Sequence, residues 1–246
     1  MAKNPGSPLW ISHRGYKAEA VENTLEAFQA AVQQGFVALE TDLRLSRDGY
    51  IVLSHDPDLR RLAGIPRRVE TMTRDELRAV ELKGKSHLLF LDAFIQAFPG
   101  CNWTFDVKPE TGLATIKALY AFARELDLYD WLMEQARFVI WGAGQERELL
   151  LLFPKAEVYA QERECWRAGL GVAMRVPALG GIRAGRTYSL PPKLGPMPLY
   201  TPAIVGAFHA RGARVVAFLP ETDEQARQAM DVGVDEILTN GSIVRP

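Results

Sequence analysis

The sequence predicts an α/β fold: a single TIM-type (β/α)8 barrel, residues 1–246, with a β-hairpin arm after its second strand. Short apolar runs alternate with amphipathic helical stretches along the chain, which is typical of parallel β/α architecture. A chain of 246 residues also has the usual length of one closed barrel, about 250 residues. Chemically active polar residues follow several predicted strands, at the end where barrel enzymes place catalysis. An open doubly wound sheet is the alternative fold.

Strands and helices are predicted in alternation, with one long interruption. Strands are expected at residues 9–12, 36–42, 103–107, 138–141, 156–160, 172–176, 215–219 and 235–238. Helices are expected at residues 23–34, 74–81, 89–98, 113–126, 145–153, 162–168, 202–211 and 223–232. Residues 177–200 are rich in glycine and proline and lack a periodic pattern, so we expect a long loop there, of the kind that is often functional.

Capping residues predict several helix boundaries. Asn23 and Glu26 predict a capping box at the start of the first helix, and Gly35 predicts its end. Thr73 is the predicted N-cap of the second helix. Thr201, which a proline follows, is the predicted N-cap of the helix after the long loop.

The hairpin arm is predicted from Asp48-Gly49, which separates two apolar runs at residues 43–45 and 50–53. An Asp-Gly pair between such runs is a strong signal for a tight turn between antiparallel strands. The second run leads to His55. The arm is therefore expected to return this histidine to the rim from which the arm rises.

The composition limits the classes of function. A formal net charge of −1, without any basic run, gives no overall attraction to nucleic acid or to an anionic membrane surface. No stretch of roughly 18 apolar residues occurs, so no transmembrane segment is predicted, and residues 1–8 show no secretory signal. The two cysteines, Cys101 and Cys165, are expected to be free thiols. We expect a soluble cytoplasmic protein with a small-molecule substrate; the sequence leaves its oligomeric state open.

Seven chemically active side chains fall at predicted strand ends or at the end of the hairpin arm. They are His13, Arg14, Glu40, Asp42, His55, Asp106 and Lys108. Glu40 and Asp42 are two residues apart on a strand and therefore point to the same face, and the same spacing relates Asp106 to Lys108. Because the carboxyl ends of barrel strands meet at one face, we expect these side chains to gather there.

The three carboxylates in this set predict a metal site. Glu40, Asp42 and Asp106 offer the hard oxygen ligands that Mg²⁺ or Ca²⁺ prefers. Without a cation their negative charges would raise one another's pKa. A divalent ion, with Lys108 nearby, resolves this conflict.

The remaining members of the set suit acid–base chemistry and anion recognition. His13 and His55 are natural proton donors and acceptors near neutral pH. Arg14 presents a planar guanidinium that matches phosphate oxygens. His87, in a loop, has no evident partner, and His209, within a helix, is expected to be structural.

Motifs of other enzyme classes are absent from the sequence or incomplete. Gly142 and Gly144 precede a helix, but Arg147 stands where a dinucleotide-binding loop has its third glycine. The sequence has no Gly-x-Ser-x-Gly elbow, no Walker A loop and no Cys-x-x-Cys pair. No serine, threonine or cysteine is placed to act as a nucleophile beside His13 or His55. The attacking group is therefore expected to be water or a hydroxyl of the substrate.

The order and spacing of the motifs resemble the glycerophosphodiester phosphodiesterase family over roughly the first sixty residues, and one later motif continues the match. The matching motifs are His13-Arg14-Gly15, Glu22-Asn23-Thr24, Ala27-Phe28, Glu40-x-Asp42, Asp48-Gly49, His55-Asp56 and Asp106-x-Lys108. The C-terminal half fits the family more loosely.

This resemblance implies a metal-dependent barrel that hydrolyses glycerophosphodiesters to glycerol 3-phosphate and an alcohol. The roles it implies are metal binding by Glu40, Asp42 and Asp106, acid–base catalysis by His13 and His55, and phosphate binding by Arg14 and Lys108. Asp106 stands where the family commonly has Glu, although an Asp-x-Lys version resembles the related sphingomyelinase D-type phospholipases. Ala217-Phe218-Leu219-Pro220 stands where the family usually has Trp-Thr-Val-Asn, and Thr239-Asn240 stands where it closes with Thr-Asp. These departures affect the pocket and the substrate rather than the reaction type.

Two other functions remain open at this stage. A lysophospholipase D-like activity on single-chain phospholipids would need an apolar groove, for which residues 177–200 are the candidate. A barrel that has lost catalysis and serves as a binding protein is the alternative from another class, and the complete set of histidines and carboxylates argues against it. For the leading function, we expect the neighbouring hydroxyl of the glycerol to attack phosphorus and form a cyclic phosphate.

Overall fold

The computed structural model describes residues 7–241. Residues 1–6, where the sequence predicts no secretory signal, and residues 242–246 lie outside the described residues. The chain divides into two compact units, one of residues 12–157 and one of the described residues before Ser12 and after Glu157. The single domain predicted for residues 1–246 stays a prediction.

Strands and helices alternate along most of the chain. The strands are β1 Leu9–His13, β2 Ala38–Leu45, β3 Ile51–Leu53, β4 Asp58–Leu59, β5 Ile65–Arg68, β6 Asn102–Val107, β7 Ala136–Ile140, β8 Glu157–Val158, β9 Thr187–Leu190, β10 Lys193–Leu194, β11 Met197–Pro198, β12 Arg214–Phe218 and β13 Glu236–Thr239. The helices are α1 Leu25–Gln33, α2 Arg60–Ala63, α3 Arg74–Arg78, α4 Leu91–Ala97, α5 Gly112–Glu125, α6 Tyr129–Gln135, α7 Ala143–Leu152, α8 Glu162–Ala173, α9 Pro202–His209 and α10 Asp223–Asp231. Short 3₁₀ turns cover Val69–Thr71, Lys83–Lys85 and Pro177–Gly180.

In the unit of residues 12–157, parallel strands bring three strand ends together. β2 pairs in parallel with β6, in a register that sets Asp42 opposite Asp106, and β6 pairs in parallel with β7. After the end of β1, the backbone N–H of Arg14 donates to the carbonyl of Glu40 at 3.0 Å. The last residues of β2 also pair antiparallel with β3, and the N–H of Ser54 donates to the carbonyl of Asp42 at 3.1 Å.

A cluster of aromatic side chains fixes the helices of this unit to its strands. Phe28 of α1 and Phe94 of α4 meet edge to face, with ring centroids 4.8 Å apart. Phe94 also contacts Trp103 and Phe105 of β6, with centroids 5.8 and 6.4 Å apart. Such pairs stabilise a fold by about 0.5–1.5 kcal/mol each beyond the burial of area. They hold in place the strand that carries Asp106.

The unit of residues after Glu157 has parallel strands and a core of its own. β9 pairs in parallel with β12, and β12 pairs in parallel with β13. Tyr188 of β9 packs against Phe208 of α9, with ring centroids 5.1 Å apart, and both side chains are fully buried. The N–H of Leu9, at the start of β1, donates to the carbonyl of Asp235 at 2.9 Å.

The structure corrects the prediction for the segment between α8 and β9. Helix α8 extends to Ala173, so the strand predicted at residues 172–176 is wrong, and the strand of this region is β9, inside the predicted loop. Glycine disfavours a helix locally, by about 1 kcal/mol relative to alanine. A Cβ on Gly171, however, would lie 2.8 Å from Cα of Gly180, so the glycine allows α8 to pack closely on the following 3₁₀ turn. Tertiary packing thus outweighs the local preference.

The predicted N-caps are confirmed at two helices and wrong at the first. Thr73 forms a capping box at α3, and the side chain of Thr201 caps α9. Helix α1 is capped by Thr24, whose hydroxyl accepts from the N–H of Ala27 at 3.3 Å, and not by Asn23. Asn23 has φ 58°, a left-handed conformation outside the extended region that an N-cap normally adopts.

Several short elements have no counterpart in the sequence prediction. They are α2 with the flanking hairpin β4–β5, helix α6 and the hairpin β10–β11. Segments of two to seven residues are too short to establish a hydrophobic period. Both cysteines are free, as predicted. Within residues 7–241, no helix combines the length and the hydropathy that crossing a membrane requires.

Candidate active site

Three buried carboxylates meet on the neighbouring strands β2 and β6. Glu40 and Asp42 lie on one face of β2 because side chains alternate along a strand. The parallel register with β6 sets Asp106 beside Asp42. One carboxylate oxygen from each residue lies within 4.8 Å of the other two, and all three residues are buried. The structure therefore brings together the three residues that the sequence predicts as metal ligands.

The three carboxyl groups differ in how easily they ionise. Burial, and then the negative charges of Asp42 and Asp106, raise the pKa of Glu40 well above its ordinary value. Burial also raises the pKa of Asp106, although Lys108 opposes this. Burial acts on Asp42 in the same direction, but Lys108 and Arg14 outweigh it and lower the pKa of that carboxyl. Glu40 is thus the carboxylate whose charge is least compensated.

The donor set fits a hard divalent cation. Oε2 of Glu40 is buried and has no hydrogen-bond partner among the described residues. Leaving such an atom unpartnered costs free energy, which a bound cation would offset. Oxygen ligands of this kind suit Mg²⁺ or Ca²⁺. Glu40, Asp42 and Asp106 could therefore hold the ion.

Two cationic side chains lie against the cluster. Nζ of Lys108 bridges two carboxylates, at 2.7 Å from Oδ1 of Asp42 and 2.6 Å from Oδ2 of Asp106. Nε of Arg14 lies 3.0 Å from Oδ2 of Asp42. Their charges partly neutralise the carboxylates, and their predicted role in phosphate binding stays a prediction.

Asn23 belongs to this site rather than to the helix cap that the sequence predicts. Its side-chain amide donates to Oδ2 of Asp42 at 2.8 Å, and its side-chain carbonyl accepts from the hydroxyl of Thr41 at 2.8 Å. Both bonds are buried. Asn23 therefore fixes the orientation of the Asp42 carboxylate, and its left-handed backbone is what points the side chain at β2.

Trp141 is a site residue that the sequence analysis missed. It follows β7 directly, and its indole Nε1–H donates to Oδ1 of Asp106 at 2.6 Å. Nζ of Lys108 lies 5.5 Å from the centroid of its ring, a cation–π contact. Both oxygens of Asp106 thus accept a hydrogen bond, one from Trp141 and one from Lys108. The signal that could have identified Trp141 from the sequence is its position at the end of a predicted strand, where the other site residues also lie.

His13 lies at the edge of the carboxylate cluster. The side chain is buried at the end of β1, and its Nε2 lies 3.9 Å from Oε2 of Glu40. Nζ of Lys17 lies 3.3 Å from its Nδ1. Burial, together with the charge of Arg14, lowers the pKa of Lys17. Lys17 is a second residue that the sequence analysis missed.

His55 is held differently, on the loop after β3. Its partly exposed ring places Nδ1 at 2.8 Å from Oδ1 of Asp56. Its backbone carbonyl accepts from Nε and Nη2 of Arg44, at 3.1 and 2.7 Å. Arg44 in turn pairs with Glu110 at 3.0 Å. The position of His55 is thus set by Arg44, which binds its backbone carbonyl, and by Asp56, which binds its ring.

A chain of ion pairs connects His55 to the cluster. Nε of Arg61 donates to Oδ2 of Asp56 at 2.6 Å, and its two terminal nitrogens donate to Glu22 at 3.1 and 2.6 Å. Glu22 also accepts from Nη1 of Arg14 at 3.2 Å. Burial opposes ionisation of Glu22, but the hydrogen bond from Arg61 and the charge of Arg14 lower its pKa. Arg61 and Glu22, which the sequence analysis left outside the site, complete this connection.

The other two histidines make local contacts. Nδ1 of His87 lies 3.0 Å from the carbonyl of Val80, and Nε2 of His209 lies 2.9 Å from Oδ2 of Asp235. The contact of His209 joins α9 to the segment before β13, which agrees with the structural role that the sequence predicts.

Known proteins with similar sequences point to one family. Residues 13–140, more than half of the chain, match the model of the Glycerophosphoryl diester phosphodiesterase family. Over 241 residues the chain is 27% identical to a probable glycerophosphodiester phosphodiesterase of Mycobacterium tuberculosis, covering 96% of this chain and 88% of that protein. Over 111 residues it is 34% identical to a lysophospholipase D of Homo sapiens, covering 40% of this chain and only 35% of that protein.

Solved structures show the same fold. The glycerophosphoryl diester phosphodiesterase domain of a Mycobacterium tuberculosis protein superposes with a TM-score of 0.81 at 17% identity, covering 95% of this chain and 96% of that one. A phosphodiesterase of Oleispira antarctica, in complex with the product sn-glycerol-3-phosphate, has a TM-score of 0.74 at 20% identity, covering 96% and 94%. The likeness confirms the predicted α/β TIM-type (β/α)8 barrel fold.

Proposed function

Because the chain belongs to the glycerophosphoryl diester phosphodiesterase family and is a phosphoric diester hydrolase of that class, we propose that it hydrolyses glycerophosphodiesters to glycerol 3-phosphate and an alcohol. The observation that carries the proposal is the buried cluster of three carboxylates, with His13 and two cationic side chains beside it. The Oleispira antarctica phosphodiesterase holds sn-glycerol-3-phosphate, which supports the same product here.

The proposed cofactor is a divalent cation, Mg²⁺ or Ca²⁺, held by Glu40, Asp42 and Asp106. When bound, such an ion polarises a phosphoryl oxygen and lowers the pKa of a neighbouring hydroxyl. Arg14 and Lys108 lie beside Asp42 and would contact the phosphate oxygens, Arg14 through its planar guanidinium and Lys108 as a point charge.

The proposed acid and base are His13 and His55. One histidine takes the proton from the hydroxyl next to the phosphate-bearing carbon of the glycerol, and that oxygen bonds to phosphorus. The bond from phosphorus to the leaving alcohol breaks, and the other histidine protonates this alcohol. Water then opens the five-membered cyclic phosphate to glycerol 3-phosphate. Attack within one molecule can contribute on the order of 7–11 kcal/mol when the geometry is right.

A substrate analogue tests this attack by the substrate's own hydroxyl. A 2-deoxy or 2-O-methyl glycerophosphodiester is expected to bind but to turn over very slowly, because it cannot form the cyclic phosphate. The measurement compares kcat and the binding constant of the analogue with those of the parent compound. Cleavage at the rate of the parent would replace this route with direct attack by water.

Trp141 is expected to support the metal site through Asp106. Trp141→Phe removes the Nε1–H but keeps an aromatic ring, so Oδ1 of Asp106 loses its hydrogen-bond donor. We expect the affinity for Mn²⁺, measured by electron paramagnetic resonance, to fall about 10–100-fold, the usual range for a partner that orients a ligand. The matched control is Trp166→Phe, at an exposed tryptophan on α8. An unchanged affinity in Trp141→Phe would exclude the role.

A lysophospholipase D-like activity is the second candidate function. The 34% identity to the human lysophospholipase D over 111 residues favours it. A release assay decides between the two, with glycerophosphocholine, glycerophosphoethanolamine, glycerophosphoinositol and lysophospholipids as substrates under Mg²⁺, Ca²⁺ and Mn²⁺. The leading function predicts glycerol 3-phosphate from the glycerophosphodiesters. Turnover of lysophospholipids alone would favour the second candidate, and no turnover of any substrate would favour a binding protein.

A further inference from the structure

Helix α8 presents a row of large apolar side chains to solvent. Trp166, Leu170 and Met174 follow one another at intervals of four residues, so they lie on one side of the helix. Their exposed fractions are 56%, 54% and 64%. The opposite side of the helix is buried at Ala168 and Val172, which pack into the core of the same unit. The exposed row is therefore a second apolar side, which the core does not use.

The 3₁₀ turn after α8 adds two more exposed apolar side chains. Val176 and Leu179 are 40% and 77% exposed. The turn is held against the helix by the close approach of Gly180 to Gly171, and by Nε of Arg167, which donates to the carbonyl of Gly180 at 3.1 Å. We call these five side chains the α8 face: Trp166, Leu170, Met174, Val176 and Leu179. They are large exposed apolar side chains of α8 and of the turn that packs on it.

The segment that carries the α8 face is basic. Residues 162–186 contain five arginines and two glutamates, a balance of +3 in a chain whose formal net charge is −1. Arg163 and Arg175 are exposed on the helix and just after it. Arg183 pairs with Glu164, so these two charges compensate each other and the balance of +3 rests on the other residues. Arg163 and Arg175 thus add exposed positive charge to the segment that carries the apolar side chains, although the whole chain is slightly acidic.

We propose that the α8 face docks on the surface of an anionic phospholipid bilayer. Tryptophan, leucine and methionine beside arginines form the combination by which an amphipathic helix lies in a membrane interface. The arginines would meet the negative charge of the lipid head groups, and Trp166 would sit at head-group level. A second copy of the chain fits this surface less well, because a two-fold contact would set the same arginines against one another. The inference does not depend on the proposed reaction.

Vesicle co-sedimentation tests the proposal. The protein is mixed with vesicles of phosphatidylglycerol and phosphatidylcholine, and with vesicles of phosphatidylcholine alone. We expect binding to the anionic vesicles that weakens as salt is raised. The variant Trp166→Ser/Leu170→Ser/Met174→Ser is expected to bind at least about tenfold more weakly. The matched control is Leu113→Ser/Leu126→Ser/Leu151→Ser, at three similarly exposed leucines of the other unit, which should bind like the unmodified protein.

A charge variant keeps the test informative if the triple variant does not fold. Arg163→Gln/Arg175→Gln leaves the apolar side chains in place and should weaken binding to anionic vesicles about fivefold for each arginine. No binding of the unmodified protein to anionic vesicles would overturn the proposal. If the triple serine variant folded and bound anionic vesicles as tightly as the unmodified protein, the proposal would be overturned as well. Light scattering covers the alternative. If the unmodified protein formed a dimer that the Trp166→Ser/Leu170→Ser/Met174→Ser variant lost, and neither protein bound vesicles, the face would be assigned to self-association instead.

Discussion

Removal of divalent ions with EDTA is expected to abolish the phosphodiesterase activity, and Mg²⁺ or Ca²⁺ is expected to restore it. The reason lies in the carboxylate cluster, where burial and the charges of Asp42 and Asp106 raise the pKa of Glu40 well above its ordinary value. A divalent ion held by Glu40, Asp42 and Asp106 would offset this repulsion and would supply positive charge to a phosphoryl oxygen. The measurement is the release of glycerol 3-phosphate in metal-free buffer and after each cation is added. Full activity in a rigorously metal-free preparation would contradict the proposed metal dependence.

Two substitutions at Glu40 separate metal binding from folding. Glu40→Ala is expected to abolish binding of the ion in calorimetry while the fold stays intact, because the site lies at the catalytic face rather than in the packed layers. Glu40→Gln is expected to raise the melting temperature of the metal-free protein by a few degrees, since it removes a charge that burial makes costly. The control is Glu125→Ala, at an exposed glutamate in the last turn of α5, which should change neither quantity. Ion binding by Glu40→Ala at the original affinity would remove Glu40 from the metal site.

Loss of either proposed acid–base histidine is expected to lower kcat roughly 10²-fold or more, the usual scale for a positioned proton donor or acceptor. His13→Ala removes the imidazole whose Nε2 lies 3.9 Å from Oε2 of Glu40. His55→Ala removes the imidazole that Asp56 orients through Nδ1 at 2.8 Å. The measurement is kcat at saturating substrate and saturating metal, with circular dichroism to verify that each variant folds.

The other two histidines of the chain are the controls for this experiment. His87 and His209 contact Val80 and Asp235, so their substitution by Ala removes only local structural contacts. We expect kcat to stay close to that of the unmodified protein in both. If folded His209→Ala lost as much kcat as His13→Ala, the assignment of the acid–base pair would be wrong.

The main members of the candidate site could be predicted from the sequence, because they depend on periodicity within single strands. Side chains two residues apart on a strand share a face, which places Glu40 beside Asp42 before any tertiary contact is known. Parallel strands also gather their carboxyl ends at one face, so the sequence alone indicates that Asp106 meets them there. The boundaries of α3 and α9 were predictable for a similar reason, since Thr73 and Thr201 cap their helices through atoms three residues away.

Only the tertiary structure decides which polar groups support those residues. The amide of Asn23 reaches Asp42, 19 positions along the chain, and the indole of Trp141 reaches Asp106, 35 positions away. These contacts depend on strand register and on loop conformation, and no spacing within one element encodes either. The C-terminal end of α8 also depends on tertiary packing. Gly171 disfavours a helix locally, but it permits the close packing of the helix on Gly180. The sequence by itself thus determined which side chains gather on the strands and what chemistry they offer, whereas packing between distant segments determined what orients them.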